Sequence, residues 1–102
     1  MSSRPISLDS TLPVEEEIRR EKVSSLRRVA LRVESLLAEL ARTEQAVREA
    51  SGPTRARLVA RHRELRAEAE KQRWYLVVQR EAMGLHRHDD IYELYRLPGA
   101  VE

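Results

Sequence analysis

The stretch "AVREASGPTRARLVA", residues 46–60, decides the fold. To its left no Gly or Pro interrupts the chain back to Pro13, and to its right none follows Pro53 until Gly84. Between these runs stands Ser51-Gly52-Pro53. Glycine adopts the left-handed backbone that closes a helix, and proline suits the first turn of the next one. The spacing therefore predicts a helix over 13–50, a turn over 51–53 and a helix over 54–83, together a hairpin spanning 13–84.

Helical periodicity supports both rods. At 100° per residue, Ile18, Leu26, Val29, Val33, Leu36, Leu37, Leu40 and Val47 fall in one stripe of the first. In the second, Leu58, His62, Leu65, Ala69, Gln72, Leu76 and Met83 do the same. Two long rods joined by so short a turn must pack antiparallel, because each stripe needs cover. Leu40 is then expected near Leu65, and Leu26 near Val78. Thr11 is a candidate cap for the first helix, with Pro13 in its first turn and Glu15, Glu16 and Glu17 at its positive end. Glu15–Arg19, Glu16–Arg20 and Glu44–Arg48 have the favourable acid-first spacing of four. Residues 1–12 are expected as an extended arm, in which Ile6, Leu8 and Leu12 could dock.

Composition agrees with this architecture. Charged residues make up 35% of the 102-residue chain and only Lys22 and Lys71 are lysines, so the charge is mostly Arg and Glu. Arg, Glu, Ala and Leu together are the composition of long helices and coiled coils. The preference for Arg points to a GC-rich, bacterial source. The formal net charge is only +2, so the pI of about 9.4 reflects near balance and does not force attraction to nucleic acid or membrane. There are no cysteines, which excludes disulfides, thiol catalysis and thiolate metal sites. No window is apolar enough for a membrane span or a secretory signal, and a cytoplasmic location is expected.

The segment "RWYLVVQREAMGLHRHDDIYELYRLPG", 73–99, differs from the rest. It holds the only Trp and all three Tyr of a chain that lacks Phe. Trp74, Val77 and Val78 fall about 150° from the stripe that faces the first helix. One neighbour cannot cover both sides, and burying a large apolar side chain is worth ~1.5–3 kcal/mol, so a third layer is expected. Residues 85–102 are one candidate: a turn, a short helix through "IYELY" capped by Asp89 or Asp90, and a tail. Ile91, Leu94 and Tyr95 give that helix an apolar face, and a clasp on Trp74 and Val78 is expected. The N-terminal arm is a second candidate for the cover. A third is another chain, most simply a second copy closing a four-helix bundle.

No residue pattern here builds catalysis. The acidic residues are interleaved with Arg along helix surfaces, whereas acid–base chemistry needs carboxylates in a desolvated pocket. The three glycines, at 52, 84 and 99, form no phosphate loop. His86 and His88 precede Asp89 and Asp90, but His62 belongs near the far end of the hairpin, so no three-histidine metal site forms within the chain. His62 reads as a packed histidine. No enzyme activity, cofactor or metal is expected.

The fold expected is thus all-α: a long, coiled-coil-like antiparallel two-helix hairpin with a short C-terminal helix at its open end. Its expected role is that of a protein–protein interaction module, such as a small adaptor, scaffold or chaperone-like subunit. The partner would be a second copy, a different protein, or both. Trp74, Tyr75, Val78, Ile91, Tyr92, Leu94 and Tyr95 are the candidate contact residues, since Trp and Tyr dominate binding hot spots. The alternative is a sequence-nonspecific nucleic-acid binder using Arg55, Arg57, Arg61, Arg63 and Arg66, as guanidinium suits phosphate. Those arginines flank both sides of the apolar stripe, where their stems can cover its edges and pair with Glu39, Glu44 and Glu49 of the facing helix.

Overall fold

A computed structural model describes the backbone of residues 5–101 and the side chains of residues 13–101. Three helices follow one another: α1 (Pro5–Glu49), α2 (Gly52–Ala82) and α3 (Asp89–Leu94). The first two pack together as the antiparallel hairpin read from the sequence. The molecule measures 80 × 22 × 14 Å with a radius of gyration of 20.7 Å. A compact chain of this length would have a radius near ~13 Å, so this one is a rod.

The start of α1 corrects the sequence expectation. The backbone over 5–12 is helical, not an extended arm, and the helix begins eight residues before Pro13. Proline suits a first helical turn, and Pro5 takes that place. Pro13 then lies inside the helix, with no N–H to donate to the carbonyl four residues back. Thr11 therefore lies inside the helix and not at its cap position; the side chains of Ile6, Leu8 and Leu12, expected to dock, lie outside those described, as do residues 1–4 and 102.

At the closed end, Ser51 is extended (φ −142°, ψ 167°) and Gly52 takes φ +60°. Pro53 sits in the first turn of α2. At the open end, the Gly84 N–H donates to the Glu81 carbonyl (2.9 Å) and the Leu85 N–H to the Arg80 carbonyl (3.0 Å). That double bond pattern, with Gly84 at φ +87°, is a Schellman closure.

Two apolar clusters form the core. Near the middle of the rod, Leu36 and Leu40 meet Leu65 and Ala69, confirming the expected Leu40–Leu65 neighbourhood. Toward the open end, Val33 meets Leu76, Val77, Ile91 and Tyr95, with Leu26, Val29 and Ala30 packed alongside. Leu26 therefore joins Leu76 and Val77, while Val78 points outward. His62 is a packed histidine, 1% exposed, with its Nε2 3.2 Å from Glu44 Oε1. Glu44 turns inward to that ring, and the Arg48 guanidinium donates instead to Gln45 Oε1 at 2.6 Å. Of the acid-first pairs expected on α1, Glu16–Arg20 is made, at 3.4 Å.

Candidate interaction surface

The tail supplies the third layer. Three arginines spaced seven apart on α2, a spacing that returns to one face of a helix, hold its backbone. Arg80 Nη2 donates to the Arg87 carbonyl (3.0 Å), Arg73 Nη1 to the Tyr95 carbonyl (3.2 Å) and Arg66 Nε to the Pro98 carbonyl (2.7 Å). Their order shows that residues 87–98 run antiparallel to α2. Arg80 also reaches Asp90 at 3.6 Å, and the Arg73 guanidinium lies over the Tyr92 ring, 4.8 Å from its centroid. Sequence reading missed this clamp. Its signal was the heptad spacing of Arg66, Arg73 and Arg80, in a helix where arginine is too common for one such series to stand out.

The C-terminal anchor residues divide into two groups. Ile91 and Tyr95 are buried in the molecule's own core. The Tyr95 hydroxyl donates to Glu34 Oε2 at 2.9 Å. Burial first, and then the Glu34 carboxylate as acceptor and as negative charge, raise the Tyr95 phenol above its ordinary 10.0. The two side chains lie only 40° apart round α3, whereas Leu94 is turned a further 60° away and is 70% exposed. The capping expectation is also corrected: His88 precedes α3 without a side-chain cap bond, and Asp89 and Asp90 occupy its first turn. His88 Nε2 sits 3.2 Å from Glu81 Oε2.

The clasp closes over Val77 rather than over Trp74 and Val78. Trp74 remains 58% exposed, and Tyr75, Val78, Leu85 and Tyr92 are also exposed. Tyr75 lies about 160° round α2 from both Arg73 and Val77, so it faces away from the tail, to which Tyr92 itself belongs, and Trp74 stands between the two sides. The Trp74 and Tyr75 rings contact one another with centroids 5.6 Å apart and planes tilted by 56°. Lys71 Nζ stands 6.0 Å from the Tyr75 ring centroid.

The arginines of the alternative reading do not share one face. Arg61 pairs with Glu39 at 3.1 Å and with Glu64 at 3.8 Å. Arg57 donates to Thr54 Oγ1 at 3.3 Å. Arg66 serves the tail clamp and approaches Glu70 at 3.9 Å. Arg55 is half-buried and Arg63 exposed. Among the described residues no group of three or more His, Asp or Glu is arranged to hold a metal ion, and no described helix is long and apolar enough to cross a membrane. No protein-family model, curated protein or solved structure matches this chain.

Proposed function

We propose that this protein is a non-enzymatic interaction module, a small adaptor, scaffold or chaperone-like subunit of the bacterial cytoplasm that binds other helical surfaces. The observation that carries this reading is the exposure of Trp74 beside Tyr75 and Val78, after the chain's own tail has docked elsewhere. Large aromatic side chains left in water forgo stabilisation that contact with a partner would recover. Trp and Tyr are also the residues that anchor interfaces most strongly. The tail clamp fixes the hairpin as a rigid rod behind the patch, which limits the ordering cost of binding.

Comparative affinity capture with the full chain tests it. Proteins retained by the wild type at moderate salt should be lost on Trp74→Ala, with a loss of at least about tenfold in affinity, as for an interface anchor. Retention unchanged by Trp74→Ala, but abolished by added salt or by charge reversal of Arg55, Arg57 and Arg61, would overturn it in favour of phosphate binding.

A further inference from the structure

The open end of the rod carries a groove on the side away from the tail. α2 stops at Ala82, and the Ser25 hydroxyl donates to Gln79 Oε1 at 3.3 Å close to that end. α1 continues beyond it as a single helix back to Pro5. Three adjoining hollows follow the step between the helices, sharing Ile18, Lys22, Ser25, Ala82 and Met83 among their walls. Ile18 belongs to the same helical stripe that α2 covers from Leu26 to Val47, so among the described residues the α1–α2 interface runs on here without a partner. Ile18 is 49% exposed and Val14 56%, and the exposed Tyr75 and Val78 continue the surface along α2.

Neither described terminal segment fills the groove. The C-terminal tail is clamped to the opposite side by Arg66, Arg73 and Arg80. The N-terminal segment from residue 5 is helix continuous with α1 and cannot fold back along it. The charge order along α1 then selects the occupant. Glu15, Glu16 and Glu17 precede Ile18, and Arg19, Arg20 and Lys22 follow it with Glu21 as the one acid among them. Glu15 and Lys22 line the same hollow as Ile18.

We propose that the groove is the interface of a symmetric homodimer, in which the α1 helices of two copies lie antiparallel across one another's open ends. This rests on the interaction-module reading and names its partner. A two-fold axis between Ile18 and Arg19 sets Glu15 of each copy opposite Lys22 of the other and brings the two Ile18 side chains together at the centre. A parallel pairing would oppose acid to acid and base to base. The contact is isologous and closes at two copies, because each groove takes the same segment that the other copy offers.

The absence of cysteine makes the test direct. In Ile18→Cys, oxidation should link two copies into a disulfide dimer, and in Leu31→Cys, on the outer side of α1, it should not. Light-scattering mass over a concentration series should approach twice 11.9 kDa. Lys22→Glu should weaken the dimer by at least about tenfold, since it turns two attractions into repulsions. The charge swap Glu15→Lys with Lys22→Glu should restore it. A monomer at all concentrations, a dimer indifferent to Lys22→Glu, or a double variant that fails to recover while remaining helical would each overturn the proposal. A monomeric chain that still loses a captured protein on Trp74→Ala would sink the self-pairing and leave the module reading standing.

Discussion

Tyr95 shows how one side chain can hold a layer in place. Its ring is buried in one cluster with Val33, Leu76, Val77 and Ile91, and its hydroxyl donates to Glu34. Because burial and Glu34 favour the neutral phenol, the folded-state ionisation lies above the ordinary 10.0. The sign follows: the stabilisation is complete below the unfolded value and is lost as pH rises through the folded one. Tyr95→Phe should cost about 1 kcal/mol near neutral pH, the usual worth of such a hydrogen bond, and should abolish this component of the alkaline destabilisation. Urea unfolding across a pH series would measure both. Gly84 is the second decisive residue. Its φ of +87° is a conformation that side chains rarely adopt, and an added Cβ would meet nothing within 4 Å. Gly84→Ala should therefore destabilise through backbone strain alone, by about 1–2 kcal/mol, while Gly99→Ala should be nearly silent in the same measurement.

At the scale of elements, the hairpin was legible because its signals are local. Helical periodicity and the Ser51-Gly52-Pro53 break need no knowledge of tertiary contacts, and α1 ends at Glu49 and α2 begins at Gly52, at that break. The start of α1 was not legible, because a proline marks a first turn and a tolerated interior position with the same residue; Pro5 and Pro13 take one role each. The docking of the tail was half legible. That Ile91 and Tyr95 would close over α2 follows from their spacing. That they would choose Val77 over Trp74 depends on the Arg66, Arg73 and Arg80 bonds to tail carbonyls, which fix the path along one side of α2. If those bonds guide the tail, Arg73→Gln should raise amide exchange at Ile91 and Tyr95 by about tenfold, as expected for losing one charge-assisted bond of about 1.5 kcal/mol. The centre of α1–α2 should be unchanged in the same experiment.

For the molecule as a whole, the candidate contact residues sort by the side of the rod they occupy. Ile91 and Tyr95 belong to the clasped side and serve the core. Tyr75, Val78, Val14 and Ile18 belong to the other, with Trp74 at its outer edge. Sequence reading could rank residues by hydrophobicity but could not separate the two sides, since both carry aromatic and aliphatic groups within one short segment. The lone indole also gives a readout of the whole assembly. Wild-type fluorescence should report a water-exposed tryptophan at low concentration. It should shift to shorter wavelength when a bound partner covers that edge of the rod, and the shift should be absent if the patch stays bare.

The 80 Å length against a 22 Å breadth has a practical effect on how this protein must be weighed. Friction on a tumbling needle exceeds that on a ball of equal mass, so a single chain will leave a sizing column early, disguised as something heavier. Column position alone would thus count two molecules where there is one.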